Sequence, residues 1–129
     1  MDKLKNESTD RLFRTILNLK TLEECYSYFE DLCTIKELQD MAQRLDTAIL
    51  LSQGYSYQKI QESIDISTAT IGRVSKCLNY GTGGYRDAIN KLKELEYVER
   101  ICENVGNISL NGNGNILSQL TAILNGNNV

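Results

Sequence analysis

The stretch of residues 54–79 constrains the fold more than any other part of this sequence. Two serines in it, Ser56 and Ser67, stand where helix N-caps are expected, because a serine hydroxyl accepts hydrogen bonds from first-turn amides. The apolar residues after each cap recur at helical spacing: Ile60, Ile64, Ile71, Val74 and Leu78. The stretch therefore predicts two short helices, at about residues 56–79, that meet at a tight corner near Asp65.

The outward face of the second predicted helix carries small, hydroxylated or cationic side chains. They are Thr68, Ala69, Gly72, Arg73, Ser75 and Lys76. Residues 67–79 contain no carboxylate. A helix that enters a DNA major groove needs such a surface, since bulk is excluded there and phosphates are close. The pattern predicts a helix-turn-helix, although short apolar helix pairs occur in many folds and the corner lacks the glycine often found there.

The rest of the chain also contains residues that typically begin or end helices, and proline is absent. Ser8 or Thr9 is expected to cap a first helix. Two Thr-x-x-Glu capping boxes follow, Thr21 with Glu24 and Thr34 with Glu37. The third helix is expected to run to Gly54, a residue suited to the left-handed conformation after a helix end. These signals predict an all-α fold.

The C-terminal third changes in composition. Residues 80–84 contain three glycines and predict a turn, since the ending of a phosphate-binding loop is missing. One long helix is expected from Tyr85 to about Gly106. The boundaries are therefore a helical domain at residues 1–104 and an Asn/Gly-rich tail at residues 105–129, which is either weakly ordered or a short helix. The tail's apolar residues share one helical stripe: Ile116, Leu117, Leu120, Ile123 and Leu124.

Composition narrows the functional classes. The chain has no histidine, the usual acid–base group near neutral pH, so an enzyme is not expected. Its four cysteines form no Cys-x-x-Cys pair, so neither a metal site nor a metal cofactor is expected. No signal peptide or membrane-length apolar run is seen, which predicts a cytoplasmic protein without a membrane partner. The net charge of −3 counts against nucleic-acid binding, but residues 67–79 carry only positive charge.

From about Thr34 to Asn90 the sequence resembles the tryptophan-repressor family, and it is most similar to the YerC/YecD type. The residues that carry the resemblance are Thr34, Ala42 to Arg44, Leu51 to Gly54, Gln58 to Ile60 and Thr68 to Arg73, with Leu78 to Tyr85 specific to the YerC/YecD branch. The resemblance implies a tryptophan-repressor-like helical domain in an intertwined homodimer. It also implies two recognition helices that meet successive major grooves of a near-palindromic operator.

The resemblance also assigns DNA contacts by position. Three residues would face base edges: Thr68, Ala69 and Gly72. Four would lie near phosphates or flanking bases: Gln58, Lys59, Gln61 and Thr70. Lys76 is a further phosphate contact expected from charge and exposure alone. Gly72 costs roughly 1 kcal/mol of helix propensity against alanine, which either close approach to DNA or a packing requirement would explain.

In the family, tryptophan lies between two arginines, and Arg44 and Arg73 occupy both matching positions. With Thr34, Val74 and Cys77 they form the possible effector site. Val74 replaces a glycine of the tryptophan repressor and would intrude on an indole pocket, while Cys77 replaces a serine that contacts the amino acid. We therefore expect a different small-molecule corepressor or none. The alternative is that the arginines pair with acids such as Asp46 or Glu62.

Together these features predict a homodimeric transcriptional repressor that binds double-stranded DNA. The alternative is a helical dimer that binds protein and uses the helix-turn-helix only as a scaffold. The acidic net charge and the apolar tail segment favour that alternative.

Overall fold

A computed structural model describes the backbone of residues 3–109 and the side chains of residues 3–105. This part of the chain contains α-helices and no strand, which confirms the all-α prediction. The helices are α1 (Glu7–Leu17), α2 (Leu22–Leu32), α3 (Ile35–Ser52), α4 (Tyr57–Ser63), α5 (Thr68–Tyr80), α6 (Gly84–Glu94) and α7 (Tyr97–Ser109). The chain divides into two compact units, with the boundary between Asp40 and Met41.

Side-chain caps define where several helices begin. The Thr21 hydroxyl accepts from the Glu24 amide at 3.1 Å, and the Glu24 carboxylate accepts from the Thr21 amide at 3.2 Å. Thr34 and Glu37 make the same reciprocal pair at 3.1 and 2.9 Å. The hydrogen bonds from Thr34 lower the pKa of Glu37. Both predicted capping boxes are thus confirmed, and each satisfies two amides that a helix start leaves free.

The start of α1 differs from the prediction. Asn6, rather than Ser8 or Thr9, is the N-cap, and its side-chain oxygen accepts from the Thr9 amide at 2.8 Å. Asparagine is as good an N-cap as serine, and the extended backbone of Asn6 (φ −154°, ψ 172°) places its side chain over the first turn. Ser8 and Thr9 therefore lie inside the helix.

In the N-terminal unit, α1 and α2 bury no side chain. The hydroxyls of Thr15 and Tyr28 are hydrogen-bonded at 2.6 Å and join the two helices. Large apolar side chains remain exposed in the single chain: Leu17 is 81% exposed, Leu22 70% and Tyr26 69%. These side chains would lose contact with water if a partner surface covered them.

The second unit contains the core, in two clusters. The first cluster joins α3, α5, α6 and α7, and its buried members are Ala48, Ile49, Val74, Leu78, Ile89 and Val98. The second joins α3, α4, α5 and α7 through Leu50, Ile60, Ile71 and Val105. Both helices of the helix-turn-helix are therefore attached to α3 and α7 by fully buried aliphatic side chains.

The predicted long last helix is in fact two helices. α6 ends at Glu94, and Glu96 adopts φ 63°, a left-handed conformation that a continuous helix does not allow. The break redirects the chain, so that Val98 and Val105 of α7 are buried at 2% and 1% exposure. Leu95, just after the end of α6, is 62% exposed. α7 continues to Ser109, past the predicted domain boundary at residue 104, and the rest of the predicted tail lies outside the described residues.

Candidate nucleic-acid interface

The corner between α4 and α5 is built from short-range hydrogen bonds. Ser56 caps α4 by accepting from the Lys59 amide at 3.2 Å, and Ser67 caps α5 by accepting from the Thr70 amide at 3.1 Å. Upstream, Gly54 has φ 89° after the end of α3, the left-handed conformation predicted for it. These features confirm the helix-turn-helix predicted from the sequence.

α5 presents two different faces. Its inward face is fully apolar, with Ile71 at 0% exposure, Val74 at 2% and Leu78 at 6%. Its outward face carries the exposed Thr68, Ala69, Arg73 and Lys76, with Gly72 partly exposed. Because residues 67–79 contain no carboxylate, the charge on this outward face is entirely positive, and Thr68, Ala69 and Gly72 make the side chains at its start small. We call this outward face the α5 face.

Hydrogen bonds across the corner order the start of the α5 face. The side-chain amide of Gln61 on α4 donates to the Ile66 carbonyl at 3.2 Å and to the Thr68 hydroxyl at 3.1 Å. The Thr70 hydroxyl lies 2.8 Å from the Ser67 hydroxyl. The family resemblance placed Gln61 and Thr70 near phosphates or flanking bases and did not indicate these bonds, because they depend on how α4 and α5 meet.

Gly72 lies in open surroundings. A Cβ atom built on it would meet no atom within 4 Å apart from its own helix and chain neighbours. Packing inside the described chain therefore does not require glycine at this position, which contradicts the packing alternative.

The remaining predicted contacts surround this face. Gln58 and Lys76 are exposed and Lys59 is partly exposed. The structure adds Arg86, which sequence reasoning missed: from α6 its guanidinium donates to the Asn79 side chain of α5 at 3.1 Å. This bond places a further cation beside the end of α5. Only the geometry of the turn at residues 81–83 brings the two residues together, so no sequence signal could have indicated the pair.

The residues assigned to an effector site have different environments. Val74 is buried in the first core cluster, whereas Arg44, Arg73 and Cys77 are exposed. In residues 3–105 neither arginine forms an ion pair, so the predicted alternative of pairing with Asp46 or Glu62 is not observed. Thr34 belongs to the N-terminal unit, where its hydroxyl serves the capping box of α3.

Residues 3–105 contain neither a metal-binding cluster nor a membrane-spanning helix. No group of three or more Cys, Asp or Glu side chains there could hold a metal ion. None of the helices in the described residues is long and apolar enough to cross a membrane.

Comparisons with known proteins agree with this geometry. A family model described as Trp repressor protein matches residues 7–93. The Bacillus subtilis protein YerC, whose function is uncharacterised, is 52% identical over 96 residues, which cover 74% of this chain and 92% of that protein. A TrpR-like protein from Eubacterium eligens has a TM-score of 0.70 at 43% identity, over 72% of this chain and 96% of that one. A proposed Trp repressor from Staphylococcus aureus has a TM-score of 0.69 at 41% identity, over 71% and 92%.

Proposed function

The chain belongs to the Trp repressor family, and from that premise we propose that it is a homodimeric transcriptional repressor that reads a near-palindromic DNA operator. Proteins of this family are regulatory DNA-binding proteins and not enzymes. The observation that carries the proposal is the α5 face, which is exposed, free of acid and flattened by Gly72. A cationic face of low relief suits a helix in a major groove.

Three residues of the α5 face contact base edges in this proposal: Thr68, Ala69 and Gly72. Since Gln61 donates to the Thr68 hydroxyl, the hydroxyl hydrogen of Thr68 is free to donate to an acceptor on a base. Acceptors in the major groove are purine N7, guanine O6 and thymine O4. The Ala69 methyl group is suited to a thymine methyl, and Gly72 allows the close approach.

The phosphate contacts come from residues around this face. Lys76 supplies charge from α5, while Gln58, Lys59, Gln61 and Thr70 lie on α4 and at the start of α5. Such contacts position the protein and carry no sequence information directly. The acidic residues elsewhere in the chain do not prevent these contacts, because the electrostatic potential at the contact surface matters more than the net charge.

The exposed apolar side chains of the N-terminal unit support dimerisation. α1 and α2 expose apolar side chains that water does not favour, and a second copy of the chain would cover them. A two-fold dimer would present two α5 helices about 34 Å apart, one turn of DNA. This spacing is what makes a near-palindromic operator the expected target.

Tryptophan is a poor fit as corepressor at Arg44 and Arg73. The side chain of Val74 is packed among Ala48, Ile49 and Leu78, where it adds to the core instead of leaving space beside Arg73. We propose that any effector at the two arginines differs from tryptophan, or that DNA binding needs none there.

Gel retardation at several salt concentrations tests the proposal. Lys76→Gln should weaken binding to all DNA sequences and reduce the slope of log affinity against log salt by about 1 for each lysine removed. Thr68→Val should instead change which sequences are preferred. A dimer that retards no genomic DNA at low salt, with and without added amino acids, would contradict the proposal. Recovery of a protein partner that also binds Arg73→Ala and Lys76→Ala variants would then favour the protein-binding alternative.

A further inference from the structure

An open surface cavity of about 330 Å³ lies between α3, α6 and α7, and its α7 residues Arg100 and Asn104 are exposed. Small-molecule sites usually have volumes of about 300–1,000 Å³, so the cavity is large enough for a compact ligand. α7 lies beyond residues 7–93, the part of the chain that matches the family model. Neither Arg44 nor any residue of the α5 face, including Arg73, lines this cavity.

The cavity combines aliphatic walls with polar groups on two sides. Ile49, Leu92 and Ile101 supply apolar surface from three helices. A carboxylate, that of Asp46, lines it from α3. A guanidinium and an amide, those of Arg100 and Asn104, line it from α7. The opposite charges thus come from different helices.

None of these three polar side chains has a hydrogen bond or an ion pair within residues 3–105. Arg100 makes only a cation–π contact, with its guanidinium carbon 5.3 Å from the centre of the Tyr97 ring. Asp46 is partly buried, and this desolvation raises its pKa. A carboxylate beside aliphatic side chains is costly to keep charged until a cation meets it.

We propose that this cavity binds a small zwitterion with an apolar body, such as a free aliphatic amino acid. The ligand's ammonium group lies at Asp46, its carboxylate at Arg100 and Asn104, and its hydrocarbon chain against the aliphatic wall. A simple organic cation fits less well because Arg100 repels it. A simple anion fits less well because Asp46 repels it.

Ligand binding at this cavity is measured without DNA, so its outcome does not depend on the proposed DNA-binding function. Isothermal titration calorimetry of the full chain uses four probes: leucine, leucinamide, isocaproate and glycine. Leucine should bind with a dissociation constant near or below about 1 mM. Leucinamide lacks the carboxylate, isocaproate lacks the ammonium group and glycine lacks the apolar chain, so each should bind about tenfold more weakly or worse.

Two variants test which protein side chain binds each charged group of the ligand. Asp46→Asn should weaken leucine about tenfold and leave isocaproate unchanged or tighter, while Arg100→Gln should weaken leucine and leave leucinamide unchanged or tighter. Asp87→Asn, an exposed acid in the first turn of α6, is the matched control and should bind leucine as the parent does. Circular dichroism verifies that each variant is folded. No heat from leucine with the folded parent protein, or equal leucine binding by the parent and both cavity variants, would overturn the proposal.

Discussion

The two units of this chain use the same kind of helix in opposite ways. In the part of the chain that the structure describes, every fully buried side chain lies between Thr47 and Val105. The helices α1 and α2 are also amphipathic but bury no side chain. One unit therefore holds its core within a single chain, and the other leaves large apolar side chains exposed.

The second unit can fold within one chain, whereas the N-terminal unit has apolar surface available for assembly. The helix-turn-helix packs against α3 and α7 within one chain, through Leu50, Ile60, Ile71 and Val105. Contacts with a second chain are therefore not needed to hold its two helices together. The N-terminal unit exposes Leu17, Leu22 and Tyr26, and small helical units of this kind commonly complete their burial by oligomerisation. Substitutions in the two units should consequently differ in how their effects depend on protein concentration.

The largest effect is expected from Leu17→Asp in α1. If a second copy covers Leu17, the substitution places one charge per protomer in the interface and should raise the dimer dissociation constant about a hundredfold or more. Arg11→Asp, on the polar face of the same helix, is the control and should have little effect. Analytical ultracentrifugation over a concentration series measures both. Equal association of the two variants would show that α1 is not in the interface.

Val105→Ala should destabilise the second unit by about 2 kcal/mol, because it removes buried methyl groups and leaves a cavity beside Ile60 and Ile71. Chemical denaturation, followed by circular dichroism, measures the loss. Glu99→Ala, exposed on the same helix, should cost much less. In contrast to Leu17→Asp, the loss should persist when the protein is studied at concentrations where the dimer is saturated. A loss that disappears at high concentration would place Val105 in an intermolecular contact.

Gly72→Ala should raise stability and weaken DNA binding at the same time. The added methyl group meets no neighbour in the described chain, so helix propensity should stabilise the free protein by roughly 0.5–1 kcal/mol. On DNA the same methyl group would hold α5 away from the groove floor. Thermal denaturation and gel retardation of one preparation give both values. Unchanged DNA affinity would remove Gly72 from the proposed interface.

The smallest effect is expected at Asp46. Desolvation raises its pKa from the ordinary 3.8, so the ionised form begins to cost stability as the pH rises above 3.8, and the cost is complete above the pKa in the folded protein. Asp46→Asn should therefore be more stable than the parent near neutral pH, by less than about 1 kcal/mol since solvent screens a half-exposed group. The difference should vanish below the ordinary pKa. Denaturation at neutral and acidic pH measures it, and a variant less stable than its parent near neutrality would show that Asp46 has a stabilising partner.

Local chemistry explains which features were predictable. The capping boxes, the left-handed Gly54 and the corner before Ser67 depend on residues within a few positions of one another, so the sequence contained the whole signal. The break at Glu96 has no signal in the sequence, because glutamate is a good helix former. Only the burial of Val98 and Val105 favours the turn. The bonds from Gln61 to Thr68 and from Arg86 to Asn79 join different helices, and no periodicity encodes them.

Selection of bound sites from a random DNA pool tests the central claim most directly. The full-length protein should enrich one two-fold symmetric sequence whose half-sites are centred about 10 base pairs apart, or a multiple of that spacing. Thr68→Val should change the bases enriched within each half-site and keep the spacing. Failure to enrich any sequence from the pool at low salt, by a protein shown to be a folded dimer, would contradict the account.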